Sequence, residues 1–215
     1  MRSQTLLAAL LAITPLALAA PKKCASPSPI KCPIILDGRV KSTLQPTDFD
    51  SASTSPFNPD YVKGNNLTWS QILLFPSHLP PSRFDNATTK PLEVTLSDAS
   101  IFQTQNGFRR AGLLLQGDTN TGSPANTGVR TLHFSVRQDP DRKLNLTHEY
   151  LNVWHETSDY SADQVMFETG TLIGREGIRR DTFKVLGRDG DLIWSTGIEY
   201  GAWQNFAISV DWSGK

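Results

Sequence analysis

The sequence is poor in the residues that make covalent or metal chemistry easy to recognise. It has two cysteines, Cys24 and Cys32, and four histidines in 215 residues. No G-x-S-x-G nucleophile motif occurs, so serine hydrolase chemistry has no support. Gly170 to Gly177, GTLIGREG, does not match a phosphate-cradling loop. The histidine spacings form no zincin pattern, and two cysteines without a nearby histidine lack the ligands of a zinc site. His133, His148 and His155 could still meet in space from adjacent strands, but a metal site ranks well below an ordinary polar cleft. Charge of one sign is also missing: 21 basic residues face 21 acidic ones. An obligate nucleic-acid partner needs a clustered positive surplus, so that class is set aside.

Long apolar runs are confined to the start. Met1-Arg2 followed by TLLAALLAITPLALA reads as a signal peptide over residues 1–19, cut after Ala19 within Ala17-Leu18-Ala19. The run is too short and Ala-rich for a comfortable membrane span, and no later segment could span one. The expected product is therefore a secreted, extracellular, monomeric protein with no membrane partner. In that compartment Cys24 and Cys32 are expected to pair across the short loop CASPSPIKC. So small a loop contributes roughly 2–3 kcal/mol at most and pins the mature N-terminus rather than the fold. The sequons at Asn66, Asn86 and Asn145 fit N-glycosylated surface loops.

Organisation follows from punctuation. Residues 41–63 are rich in Ser, Thr, Asp and Pro and read as an ordered surface wrap, docked by Phe57 and Tyr61. Ile34 to Val40 reads as a first strand, and Ser70 to Phe75 fits either a helical turn or a strand. From Pro91 the pattern becomes steadily β. Phe108 to Leu115 is expected as a strand. Arg130 to Arg137 alternates, with Leu132, Phe134 and Val136 against His133, Ser135 and Arg137. Strands then follow at 165–169, 182–186, 192–195 and 206–212, with Asp189-Gly190 as a hairpin turn. About ten short strands without a long helix indicate an all-β jelly-roll β-sandwich, a single domain over residues 20–215. The strand at 206–212 lies close to Lys215, which suggests a domain incomplete at its C-terminus.

The densest chemistry lies in NLTHEYLNVWHE, Asn145 to Glu156. Strict alternation would put Glu149, Leu151, Val153 and His155 on one face and His148, Tyr150, Asn152, Trp154 and Glu156 on the other. Neither face is apolar throughout, so one end must be wet where the other is dry. Glycoside hydrolysis needs a carboxylic acid and a carboxylate flanking the scissile bond. The strand candidates are Glu93, Glu149, Glu156 and Glu168. Spacing alone favours a surface Glu149 paired with an arginine, because charged strand residues are mostly solvated. Trp154, Trp194, Trp203 and Trp212 could stack on sugar rings, although Trp194 and Trp212 read better as core.

Several phrases together carry a resemblance. KCPIILDGRV, SPFNPDYVKGNNLTWSQILLFP, PSRF, TKPLEVTL, NGFRRAGL, TLHFSVRQD, LNLTHEY and NFAISVDW occur in an order that resembles glycoside hydrolase family 131, from about Cys32 to Trp212. The resemblance implies a secreted fungal β-glucanase with a jelly roll, a broad cleft and no cofactor. The implied substrate is β-glucan with 1,3, 1,4 or 1,6 linkages. It implies two catalytic glutamates, one in an RRAEL-like strand and one in an HEY-like segment. The second falls on Glu149. The first falls on Gly112, because this chain reads RRAGL at 109–113. By strand parity Arg110 shares the side of position 112, and His133 lies opposite the apolar side of its strand; both are candidate substrate-binding residues. The alternatives are an active glucan hydrolase using Glu149, a glucan-binding relative without hydrolysis, and a fragment without stable function.

Overall fold

The structure is a computed structural model that describes residues 32–119 and 121–213. The expected signal peptide and Cys24 lie outside the described residues. Contacts divide the chain into Met1–Pro33 and Ile34–Lys215, and the second unit carries the strands.

Where the sequence alternates cleanly, long strands form. β5 (Val129–Arg137) pairs over its whole length with β10 (Trp203–Asp211), antiparallel, with Phe134 opposite Phe206. β6 (Glu149–Glu156), β7 (Asp163–Gly170), β8 (Thr182–Gly187) and β9 (Leu192–Gly197) form one antiparallel sheet in chain order. The β8–β9 turn uses Asp189-Gly190 as expected; Gly190 sits at φ +72°, a conformation glycine adopts without penalty. β10 begins three residues earlier than the sequence suggests, because β5 offers ladder partners as far as Arg137.

The two sheets pack through phenylalanine. Phe167 and Phe183 are fully buried, and the Phe167 ring centroid lies 5.0 Å from Phe134, 4.7 Å from Phe206 and 5.2 Å from Phe183. The β5–β10 pair thus covers the face of the four-stranded sheet that carries Phe167. Trp212 is buried as expected, whereas Trp194 is 48% exposed. It reaches Phe206 only at a 6.2 Å ring separation, from the open edge at β9.

The N-terminal half builds a second core with little regular structure. Its strands are two-residue pieces: β1 (Val40–Lys41), β2 (Leu73–Leu74), β3 (Thr89–Lys90) and β4 (Glu93–Val94). The expected strand from Ile34 shrinks to β1. The run 70–75 is both alternatives at once, a helical turn α1 (Trp69–Ile72) followed by β2. Gln71 reaches back to the Thr68 amide at 2.9 Å and closes a capping box. Val40, Phe49, Phe57, Trp69, Ile72 and Leu73 bury together, so Phe57 docks the wrap as expected. The stretch 108–114 is extended but not a regular strand. Its partners are irregular: Gly112 N bonds to the Val62 carbonyl at 2.8 Å, and Asn58 N to the Leu114 carbonyl at 2.9 Å. Pro56 and Pro59 lie in the facing segment and lack the amide that a continuous ladder needs. The architecture is all-β, as the sequence indicates.

Candidate functional site

A bulge decides what the central strand presents. Leu151 opposes Glu168 and Val153 opposes Phe167, so β6 advances two residues while β7 advances one. Asn152 is the extra residue, and side-chain parity switches there. Glu149, Leu151 and Trp154 consequently share the side of Glu168 and Met166, while Val153 and His155 turn to the Phe167 side. Strict alternation would have separated Glu149 from Trp154. The mixed polarity of both expected faces is the trace this bulge leaves in the sequence. His155 goes inward and packs against Trp212 at 4.5 Å between ring centroids.

On the outer side of the sheet, Glu149 and Glu168 are diagonal neighbours. Glu149 opposes Gly170, two residues beyond Glu168; diagonal pairs lie within reach of long side chains. Glu149 is exposed, and its Oε1 accepts from the Ile173 amide at 3.2 Å. No ion pair among the described residues involves it, so the expectation of an arginine-paired surface acid fails.

Glu168 differs sharply. It is 6% exposed and its Oε2 has no hydrogen-bond partner among the described residues. Burial, reinforced by the Glu149 charge, raises its pKa to about 7. Lys184 stands directly opposite on β8, fully buried, with Nζ donating to the Gly170 and Thr182 carbonyls at 2.9 and 3.1 Å. Burial lowers the Lys184 pKa against the pull of Glu168 and Asp181. The segment after β7 is tied back to the start of β6. Gly170 turns at φ +82°, and Thr171 donates through its amide to the His148 carbonyl and through its hydroxyl to Leu146. Leu172 is buried.

A second carboxylate couple occupies the far end of β6. Glu156 directly opposes Asp163 across a second register shift. Burial raises the pKa of both, and the charge of Arg110 acts against it in each case. Tyr61 joins them, its phenol pKa raised first by burial and then by Glu156. The Gly112 position belongs to this end. A Cβ built there would lie 2.9 Å from the Tyr61 ring and 3.3 Å from the Trp154 ring. Two aromatic rings therefore occupy the space that a glutamate at this position would enter. A glutamate in place of Gly112 requires Tyr61 to move.

The expected site residues are consequently dispersed. Arg110 shares the direction of Gly112 as parity implied, while Ala111 and Leu113 pack on the N-terminal core. Its Nη1 donates to Gln105 Oε1 at 2.9 Å, and its charge acts on Glu156 and Asp163. Trp154 lies five residues beyond Glu149, roughly 16 Å along the strand. His133 is exposed beside Phe84, 5.6 Å between rings. Its neighbour Phe134 faces the core, so His133 points away from the four-stranded sheet and is not grouped with Glu149. Sequence reasoning singled out Glu168 only as one strand acid among several, and it missed Lys184, Asp163 and the site-side role of Tyr61. A lone lysine in the apolar run TFKVLG was the available signal for Lys184.

The sequon asparagines are all exposed. In two of them the sequon threonine hydroxyl donates to the asparagine Oδ1, at 2.7 Å for Asn86 and 2.8 Å for Asn145. Cys32 is exposed and forms no disulfide among the described residues; its expected partner Cys24 lies outside them.

A family model described as the glycoside hydrolase 131 catalytic N-terminal domain matches residues 34–215. The fold is similar to the crystal structure of the catalytic domain of the glycoside hydrolase family 131 protein from Coprinopsis cinerea. That match has 21% identity and a TM-score of 0.63, and covers 84% of this chain and 70% of that one. It is also similar to a GH131 β-glucanase catalytic domain from Podospora anserina, at 22% identity and a TM-score of 0.68, covering 85% and 71%. No curated protein sequence matches. With the family model spanning all but the first 33 residues, the chain belongs to glycoside hydrolase family 131.

Proposed function

We propose that this protein is a secreted β-glucan hydrolase in which Glu149 is a catalytic carboxylate. The observation that carries this reading is the position of Glu149: an exposed carboxylate without an ion-pair partner among the described residues, on the same outer side of the sheet as Trp154. Hydrolysis of a glycosidic bond needs a carboxylate held where substrate can reach it, and an aromatic ring on the same face suits a sugar chain laid along the strands. A β-glucan with 1,3, 1,4 or 1,6 linkages is the substrate class that the family suggests. The reaction needs no metal or organic cofactor, because protonation of the leaving oxygen and attack at the anomeric carbon are both carboxyl chemistry. The signal-like residues 1–19 and the three exposed sequons support secretion and N-glycosylation.

A second reading, a glucan-binding protein without hydrolysis, is favoured by one observation. Position 112 has no carboxylate and is covered by Tyr61 and Trp154. Reducing-sugar release from mixed-linkage β-glucan decides between the two. Release by the wild type and its loss in Glu149→Gln supports the hydrolase. No release, with retained binding to insoluble glucan, establishes the binding protein. Release that survives Glu149→Gln but not Glu156→Gln moves the chemistry to the Glu156–Asp163 end.

A further inference from the structure

Glu149 is exposed, yet it is held. Its Oε1 accepts from the Ile173 amide, and its other oxygen takes no hydrogen bond or ion pair among the described residues. That amide comes from the segment after β7, and the segment has a fixed shape. Gly170 and Gly174 bracket it at φ +82° and +76°, whereas Ile173 between them is not in the positive-φ region. Arg175 N donates to the Leu172 carbonyl at 3.0 Å and closes a turn with Ile173 second and Gly174 third. A negative φ followed by a glycine at positive φ makes this a type II turn. Both ends of the turn are tied down. On one side Thr171 donates to the His148 carbonyl at 3.0 Å through its amide and to the Leu146 carbonyl at 2.8 Å through its hydroxyl, and Leu172 is buried. On the other, Arg175 Nη2 donates to the Asp189 carbonyl at 3.2 Å. The Ile173 side chain is 79% exposed and anchors nothing. What this residue brings to Glu149 is its backbone N–H.

We propose that Ile173 is a positioning residue of this site: its main-chain amide holds Glu149 by one carboxylate oxygen and leaves the other for the sugar. This rests on the reading of Glu149 as the catalytic carboxylate. An exposed glutamate samples many rotamers, and only a carboxylate already aligned with the anomeric carbon reacts efficiently. An N–H bond to a carboxylate oxygen is strong and directional, so it narrows that set. A donor fixed by its own backbone anchors does this better than a mobile side chain could. The segment leaves β7 at Gly170, the residue that Glu149 faces across the ladder. The pairing that places the acid therefore also places its donor.

Two measurements test this. Ile173→Pro deletes the amide and keeps the turn, because proline suits the second position of a type II turn. Ile173→Ala is its control: it removes the exposed side chain and keeps the N–H. On mixed-linkage glucan Ile173→Pro is expected to lower kcat by about 10–100-fold relative to Ile173→Ala, with KM within about threefold and with matching thermal melts. Equal kcat in the two variants overturns the proposal, and so does a deficit matched by a fall in melting temperature. The second measurement does not need Ile173→Pro to fold. Amide hydrogen exchange at Ile173 is expected to be at least about tenfold faster in Glu149→Ala than in the wild type, with Thr171 unchanged. Equal exchange at Ile173 in the two proteins overturns the proposal. A wild type that releases no sugar refutes the hydrolase reading and takes this proposal with it. An active wild type whose Ile173 variants turn over alike refutes this proposal alone and leaves Glu149 as the catalytic residue.

Discussion

The stability of this protein should carry the signature of Glu168. Its carboxyl keeps a proton up to pH about 7 in the folded chain, against an ordinary value of 4.5. Between these values the folded state binds a proton that the unfolded chain has released, so stability falls as pH rises. Below pH 4.5 both states are protonated and the penalty is absent; above pH 7 it is complete. At about 1.4 kcal/mol per pH unit the whole swing is about 3 kcal/mol. Glutamine keeps the shape of the protonated acid and cannot ionise. Glu168→Gln should therefore match the wild type near pH 4 and exceed it at pH 8.5. For a chain of this size each kcal/mol moves the melting temperature by roughly 2–4 °C, so the difference between the two pH values is roughly 6–12 °C. Thermal melts followed by tryptophan fluorescence at both pH values measure it. Comparing the two removes whatever the amide costs in packing. Equal effects at both pH values, or a larger loss at pH 8.5, would refute the argument, because the carboxyl would then be ionised without penalty in the fold.

Two further substitutions probe the backbone that builds the site. Gly170→Ala places a methyl group 1.9 Å from the His148 carbonyl at φ +82°, and should cost about 2–4 kcal/mol in urea titration and expose Lys184 to exchange with solvent. Gly112→Ala should cost about 1–3 kcal/mol through collision with Tyr61, and much of that loss should disappear in a Tyr61→Ala background. Additive losses there would show that the ring does not set the constraint.

The long ladders could be read from the sequence because their information is local. RTLHFSVR alternates strictly, and β5 runs with an unbroken register against β10. Asp189-Gly190 specifies its turn by backbone conformation alone. The wrap over 41–63 was legible for the same reason: Phe57 is a large apolar side chain in a polar stretch and must bury somewhere. The β pattern from Pro91 contains β4 and the strand read from Ile34 to Val40 reaches β1, but the extent of these short strands was not legible, because irregular partners elsewhere in the chain decide how far they run.

The sequence by itself determined the all-β class and the family likeness, and through that likeness it raised the candidate Glu149 and drew attention to Gly112. Tertiary structure decided the company each residue keeps. A single unpaired residue, Asn152, moves Trp154 to the Glu149 side and sends His155 to the core. Pairing of β7 with β6 on one side and β8 on the other brings Glu149, Glu168 and Lys184 to one face from three separate strands. The fold also places His133 on the other outer surface and fills the space at Gly112 with Tyr61 and Trp154. Ladder register and burial are long-range properties, set by which strands meet and what covers them. No spacing within one segment encodes them.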